Sequence, residues 1–224
     1  MDYQIKPFGQ SALLIEFSSE ISEQTSALVN EAYRYIQKKP QWGVVSLIPA
    51  YTSLTVCFHP LMTTYEKLSK LIRQLLDGLN QAKLPEGELK LIPVCYSIGL
   101  DIELVLKELE ITIEELVDLH SSKTYRVDFL GFMPGFAYLQ GLHEKLFIPR
   151  KSVPRVKIPK GAVALGGGQT GIYPFESPGG WQIIGQTPLE MFSENGAFCQ
   201  VNDRVRFVPI TESEFLSIQR NGKS

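Results

Sequence analysis

GGGQTGIYPFESPGGW, residues 166–181, is the stretch that decides the fold of the second half of this chain. It contains six of the 18 glycines, and Pro174 and Pro178 interrupt any helical pattern. A Walker phosphate loop needs a Lys-Ser/Thr pair after its glycines and a helix behind them, and neither is present. The stretch therefore predicts turns between short strands rather than a nucleotide loop.

The segments on either side of residues 166–181 are short and strand-like. They are GAVAL at 161–165, WQIIG at 181–185 and DRVRFVPI at 203–210, separated by Gly/Pro turns. Only five glycines precede Gly131, whereas thirteen lie from Gly131 onward. Short strands at regular spacing with turn signals between them indicate an all-β barrel or sandwich.

Residues 1–96 have a different pattern, in which strands alternate with amphipathic helices. The expected strands are 11–17, 44–48, 53–58 and 89–95, and the expected helices are 22–38 and 63–78. Thr63 and Glu66 have the spacing of a capping box at the start of the second helix. The order βαββαβ predicts a ferredoxin-like α/β domain over residues 1–96.

The second domain is expected over residues 97–224 and begins with two short helices. Asp101 is the expected N-cap of the first helix, and Thr112 and Glu115 form a capping box for the next. Together with the strands above, this predicts an α+β N-terminal domain followed by a β-barrel.

The composition is that of an ordinary globular protein, with 44% hydrophobic residues, 21% charged residues and a net charge of -2. The absence of a basic patch argues against nucleic-acid binding. No run of about 18 apolar residues is present, and the N-terminus has no secretory signal pattern. Cys57, Cys95 and Cys199 are expected to be reduced thiols, two of them in strand-like segments. We therefore expect a cytoplasmic protein that does not insert into a membrane.

FLGFMPGFAYLQGL, residues 129–142, mixes aromatic residues with glycines. Phe132 and Tyr138 could present a flat apolar surface to a ligand, while the glycines let backbone amides approach the same ligand. The alternative is a bulged pair of strands that fills the core of the barrel.

Arg150 and Arg155 each follow a proline, in PRKSVPR at residues 149–155. A guanidinium on a stiff backbone suits a bidentate clamp for a carboxylate or phosphate. The alternative is a pair of surface salt bridges.

The opening stretch also supplies polar groups that suit an amide or an oxyanion. They are the backbone amides of Gly167 and Gly168 and the side chains of Gln169, Thr170, Tyr173, Ser177 and Trp181. His120 ends a predicted helix and either caps its carbonyl groups or acts as an acid and base. No pair of His or Cys residues has the spacing of a metal site, so no metal ligand is predicted.

Taken in order, these motifs resemble the family of the 5-oxoprolinase B subunits, also known as allophanate hydrolase subunit 1. The similar segments are YRVDFLGFMPGFAYLQGL, IPKGAVALGGGQTGIYPFESPGGWQIIGQTP and DRVRFVPI, together with FGQSALLIEF and IPAYTSLTVCFHP nearer the N-terminus. Gln186 and Asn202 depart from the family pattern, which often has Arg and Gly there. The change at residue 186 removes a charge and puts ligand preference in doubt.

The resemblance implies a ferredoxin-like domain followed by a cyclophilin-like barrel, similar to part of the carboxyltransferase region of urea carboxylase. It also implies a second cyclophilin-like subunit and a third subunit of different fold, which together open 5-oxoproline (pyroglutamate) to glutamate. ATP with Mg²⁺ is the implied cofactor, held by this chain or by a partner. The alternative activities are inhibition of a sporulation histidine kinase and a role in a urea or allophanate amidolyase.

This chain alone shows no nucleophile and base pair, so we expect it to contribute part of a composite site and to be inactive by itself. The residues expected to act in catalysis are His120, Arg155 and Tyr173. Those expected to bind substrate are Phe132, Tyr138, Arg150, Gly167, Gly168, Gln169, Thr170, Ser177 and Trp181.

Overall fold

A computed structural model describes residues 3–20, 22–38, 43–77 and 87–221 of the chain. The chain separates into two compact units, Met1–Pro85 and Glu86–Ser224. Each unit has its own hydrophobic core.

The first unit is a four-stranded antiparallel sheet with two helices. Its elements are β1 (Gln4–Pro7), β2 (Ala12–Glu16), α1 (Glu23–Gln37), β3 (Val44–Pro49), β4 (Ser53–Phe58) and α2 (Tyr65–Asp77). The strands lie in the order β1-β2-β4-β3. Alternate residues of β2 and β4, such as Leu13 and Val56, are fully buried and pack with apolar residues of both helices.

The caps of the two helices match the sequence only in part. Ser22 caps α1 by accepting a hydrogen bond from the amide of Thr25 at 3.1 Å. The cap of α2 is Thr64 rather than the predicted Thr63, because the Thr64 hydroxyl accepts from Lys67 and its carbonyl accepts from Leu68. The predicted stop at Gly78 lies outside the described residues.

The second unit is built around a seven-stranded sheet. Its elements in chain order are β5 (Leu89–Val94), α3 (Ile102–Leu109), α4 (Ile113–Ser121), β6 (Tyr125–Leu130), β7 (Ala137–Gln140), a 3-10 turn (Glu144–Leu146), β8 (Arg155–Ile158), β9 (Ala162–Gly166), β10 (Gln169–Ile172), β11 (Ser177–Gly179), β12 (Gln182–Gln186), β13 (Phe192–Ser193), β14 (Gly196–Ala197), β15 (Arg204–Pro209) and α5 (Glu212–Asn221).

The sheet runs in the order β12-β9-β10-β7-β6-β15-β5 and is nearly closed. Cys95 and Gln186, beside its two edge strands, exchange both backbone hydrogen bonds. Farther along the same gap, the amide of Asp101 donates to the carbonyl of Ile183. The predicted barrel is therefore present, and β8 and β11 form a separate two-stranded ribbon.

The position of β5 differs from the predicted division of the chain at residues 96 and 97. The sequence assigned this strand to the first domain, but it pairs in parallel with β15 from Arg204↔Leu89 to Pro209↔Val94. Without it the first unit has the order ββαββα, so the ferredoxin-like assignment is not confirmed. The strand belongs to the barrel because Ile92 and Val94 are buried in the barrel core.

Several local predictions are confirmed in the second unit. Thr112 caps α4 by accepting from the amide of Glu115 at 3.2 Å. Asp101 stands at the N-cap position of α3, although its side chain makes no capping bond. All three cysteines are free, and Cys95 and Cys199 are buried. Within the described residues, no helix combines the length and apolar character needed to cross a membrane.

Candidate functional site

Five aromatic side chains of the second unit form one group, which we call the aromatic cluster: Phe132, Phe136, Tyr138, Tyr173 and Trp181. Phe136 is its centre, with ring centroids 4.8 Å from Tyr138, 5.2 Å from Tyr173 and 5.5 Å from Trp181. The rings meet edge to face or tilted, which are favourable arrangements for aromatic pairs. The sequence segments 129–142 and 166–181 therefore meet in one place, as a shared site requires.

Phe132 lies on the side of the aromatic cluster that is exposed to solvent. Its side chain is 62% exposed, whereas Tyr173 and Trp181 are 2% and 5% exposed. It also has a φ of 67°, a left-handed conformation that is uncommon for a bulky residue. An exposed ring on a strained backbone is a frequent mark of a functional loop.

Arg150 lies against the aromatic cluster, and its cation has no counter-ion among the described residues. Its guanidinium carbon is 5.3 Å from the centre of the Trp181 ring. No carboxylate of the described residues lies within ion-pair distance of it, whereas the neighbouring Lys151 and Arg155 are both paired. Burial raises the pKa of Tyr138 and of Tyr173, and the charge of Arg150 acts on both in the opposite direction.

Arg155 is occupied by a buried carboxylate. Its guanidinium donates to Asp101 at 2.5 Å, and Lys151 Nζ lies 2.7 Å from the same oxygen. The other oxygen of Asp101 accepts from the amide of Ile183 at 2.8 Å. Burial alone would raise the pKa of the Asp101 carboxyl, but the hydrogen bonds from Arg155, Lys151 and Ile183 lower it below 3.8. Of the two arginines predicted as clamps, Arg150 is thus the one that no carboxylate in the described part of the chain pairs with.

His120 lies inside the barrel and away from the surface. It is 0% exposed, with Nδ1 2.7 Å from the Tyr96 hydroxyl and Nε2 2.9 Å from Thr170 Oγ1. Its ring stacks on Phe207 at 4.3 Å. Burial lowers the pKa of His120 to about 3. A neutral, enclosed imidazole cannot reach a substrate in this conformation. His120 and Thr170 are therefore core residues and do not line the candidate site.

The glycine run forms a tight hairpin turn between β9 and β10. Gly167 has a φ of 66° and lies with Gly168 between the paired residues Gly166 and Gln169. The amide of Gly167 donates to the carbonyl of Ile148 at 2.7 Å, so it is not free to bind an oxyanion. A side chain at residue 166 would come within 2.5 Å of the Trp181 ring, so this glycine lets the indole lie on the sheet.

The predicted site residues thus fall into separate groups. Phe132, Tyr138, Arg150, Tyr173 and Trp181 lie together. Ser177 borders them, because it pairs with Ile158, which packs with Tyr173 and Trp181. Gly167, Gly168 and Gln169 belong to the hairpin turn, and His120 and Thr170 belong to the core.

The sequence did not reveal two residues beside Arg150. Asp101 was interpreted only as a helix cap, and Gln182 was not singled out. Gln182 is 4% exposed, and its Nε2 donates to the carbonyl of Pro149 at 3.1 Å. A Gln after a Trp in a strand carries no special signal, so this contact could be found only in three dimensions. The described residues contain no group of three or more His, Cys, Asp or Glu side chains that could hold a metal ion.

The chain is similar to named proteins along most of its length. Residues 3–198 match the family described as Carboxyltransferase domain, subdomain C and D. The chain is 40% identical over 229 residues to the 5-oxoprolinase B subunit of Bacillus subtilis (strain 168), with 95% of each chain covered. It is 36% identical over 211 residues to the 5-oxoprolinase B subunit of Escherichia coli O157:H7, covering 91% of this chain and 94% of that one.

The chain is also similar to solved structures. TTHA0988 superposes with a TM-score of 0.78 at 33% identity, covering 89% of this chain but 40% of that longer chain. PH0987 from Pyrococcus horikoshii gives a TM-score of 0.55 at 42% identity, covering 95% of this chain and 100% of that one. The K. lactis urea amidolyase gives 0.84 at 16% identity, with 98% and 15% covered, which shows a shared fold alone.

Proposed function

The chain belongs to the carboxyltransferase-domain family that contains the 5-oxoprolinase B subunits, and from this we propose that it is one subunit of an ATP-dependent 5-oxoprolinase. In this role it would help to open 5-oxo-L-proline to L-glutamate. The partners would be a second, cyclophilin-like subunit and a third subunit, as the family resemblance implies. We propose that the barrel of this chain is also cyclophilin-like and that the complex works in the cytoplasm.

The unpaired guanidinium of Arg150 over Trp181 is the observation that carries this proposal. 5-Oxoproline is a flat five-membered ring that bears a carboxylate. The carboxylate would pair with Arg150, for which a guanidinium fork is well suited. The ring would lie against the aromatic cluster beneath the exposed Phe132 and beside the partly buried Tyr138, whereas the hydroxyl of Tyr173 is enclosed in the cluster.

The chemistry fits a composite site. A lactam is a poor acyl electrophile. Transfer of the γ-phosphoryl group of ATP to its amide oxygen, with release of ADP, would activate the carbonyl carbon toward water, after which the ring C–N bond would break and phosphate would be released. The hairpin at residues 166–169 does not fit a phosphate cradle, because Gly166 is covered by Trp181 and the Gly167 amide is bonded. We therefore propose that this chain holds the substrate while partner subunits bind ATP with Mg²⁺ and complete the site.

Reconstitution with partner subunits tests the proposal. Glutamate release from 5-oxoproline and ATP should require this chain, and the chain alone should release none. Arg150→Met should raise KM for 5-oxoproline about 10- to 100-fold, the range for losing a charge-assisted pair. Arg206→Met, which removes an exposed arginine of β15, is the matched control and should leave KM unchanged. Full activity in a complex that lacks this chain would refute the function.

A normal KM for Arg150→Met would refute the assignment of Arg150 and leave the role in the complex standing. Inhibition of a histidine kinase and a role in an amidolyase stay predictions from the resemblance. Stoichiometric binding to the kinase, without ATP or 5-oxoproline, would favour the first.

A further inference from the structure

Two short segments run side by side at the edge of the aromatic cluster. Residues 149–151 carry Arg150, and residues 180–182 carry Trp181. The amide of Lys151 donates to the carbonyl of Gly180 at 2.7 Å. Each residue that flanks Arg150 is therefore in reach of a residue that flanks Trp181.

The Gln182 side chain makes the second link. Its Nε2 donates to the carbonyl of Pro149 at 3.1 Å, while its Oε1 has no partner among the described residues. Gln182 belongs to β12 and pairs with Leu165 of β9, so its backbone is part of the barrel wall. A buried amide on a rigid strand thus fixes the peptide group that immediately precedes Arg150.

Asp101 provides a third link on the far side of Arg150. It binds Lys151 Nζ and is itself held by the amide of Ile183, the residue that follows Gln182. Pro149 further restricts the backbone before Arg150, because its ring fixes φ. The backbone on both sides of Arg150 is thus tied to the two residues that flank Trp181, and the Lys151 side chain is tied to β12 through Asp101.

We propose that Gln182 is a positioning residue that holds Arg150 over Trp181, with Asp101 assisting through Lys151. A guanidinium fixed before the ligand arrives loses less conformational entropy on binding. The expected consequence of losing the Gln182 bond is weaker binding of a carboxylate, with the rate of the chemical step unchanged. The identity of that carboxylate rests on the proposed function, but the position of Arg150 does not.

NMR of the isolated chain reads the position of Arg150 without any substrate. The Nε–Hε resonance of Arg150, assigned by its loss in Arg150→Lys, should be shifted by the ring current of Trp181. Gln182→Met should move it toward the position of the exposed Arg206. Gln200→Met is the matched control, since Gln200 makes the same kind of bond, from Nε2 to the carbonyl of Ala197 at 3.0 Å, and belongs to neither the aromatic cluster nor the segments beside it.

Kinetics of the reconstituted complex supply the second measurement. Gln182→Met should raise KM for 5-oxoproline about 3- to 10-fold, the value of one net hydrogen bond, with kcat unchanged. Gln200→Met should change neither KM nor kcat. Should Gln182→Met fail to fold, Gln182→Asn keeps the amide on a side chain one methylene shorter and should show the same shifts.

An unmoved Arg150 resonance in both Gln182 variants would overturn the inference. A moved resonance with an unchanged KM would support the positioning and refute Arg150 as the substrate clamp. A wild-type complex without turnover would refute the proposed function, and the resonance would still decide the positioning.

Discussion

Acidification from pH 6.5 to 5 should destabilise the second unit through one side chain, His120. The chain has three histidines, and His120 is fully buried whereas His59 is exposed and His143 is partly exposed. Inside the barrel His120 is neutral between the Tyr96 hydroxyl and Thr170. In the unfolded chain the same imidazole is free to take up a proton.

The size of the loss in stability follows from the difference in the pKa of His120 between the folded and the unfolded protein. Burial lowers the pKa of His120 from 6.5 to about 3 in the folded protein. Because the folded pKa is depressed, its contribution is complete above pH 6.5 and is lost as the pH falls toward about 3. Each pH unit in that window costs about 1.4 kcal/mol, so the free energy of unfolding should fall by about 2 kcal/mol between pH 6.5 and pH 5.

Urea unfolding at pH 7.5, 6.5, 5.5 and 5.0 measures this slope. Trp181 reports on the second unit when the other tryptophan is replaced in a Trp42→Phe background. His120→Gln keeps polar groups beside Tyr96 and Thr170 but cannot titrate, so its slope between pH 6.5 and 5 should be smaller by about 1.4 kcal/mol per unit. His59→Gln, which removes an exposed imidazole, should keep the wild-type slope.

The reasoning is refuted if His120→Gln retains the full dependence on pH in this window. The overall stability of the variant is not the readout, because it also loses the stacking on Phe207. Carboxylates such as Asp101 titrate at lower pH and do not enter the comparison.

Three further outcomes are expected from the geometry around the aromatic cluster. Gly166→Ala should lower the free energy of unfolding by about 1–3 kcal/mol, because the added methyl group would overlap the Trp181 ring. Gly131→Ala is the control: the nearest atom to its methyl group, in the Phe129 ring, is 3.6 Å away, so it should unfold like the wild type in the same urea titration. Phe132→Gly should be about 1 kcal/mol more stable than Phe132→Ala, since both lose the ring and only glycine tolerates the positive φ; equal stability would contradict this strain. Asp101→Asn should cost about 1–3 kcal/mol at pH 7 and progressively less below about pH 3.9, where this carboxyl takes up a proton in the unfolded wild-type chain before it does so in the folded protein. An equal cost at pH 7 and pH 3 would contradict the depressed pKa of Asp101.

Features decided by near neighbours could be predicted from the sequence. Thr112 and Glu115 are one helical turn apart, so their spacing alone indicated the cap of α4. The stretch 166–181 indicated turns between short strands, and one such turn lies at Gly167, because a left-handed backbone conformation is a local property of glycine. Arg150, Tyr138 and Trp181 were predicted as site residues from their types and settings, and they do meet.

Features decided by distant partners could not be predicted. Asp101 occupies the predicted cap position, but its carboxylate binds Arg155 and Ile183, which lie 54 and 82 residues further along the chain. His120 was a reasonable acid and base candidate until Thr170, 50 residues away, was found to enclose it. The pattern of β5 correctly indicated a strand, but a strand pattern does not name the sheet that the strand joins.

The pairing of β5 with β15 also sets an order of events during synthesis. Beside this ladder, the amide of Glu88 donates to the Asp203 carboxylate across 115 residues of chain. While the ribosome is still extending the chain, β5 is therefore present before its partner β15, and its unpaired edge can associate with other chains. The first unit has its own hydrophobic core and precedes β5 in the chain, so we expect it to fold in that interval. A nascent chain halted before residue 204 should therefore hold a folded N-terminal unit joined to an open sheet, and release of the last strand is the event that closes the barrel.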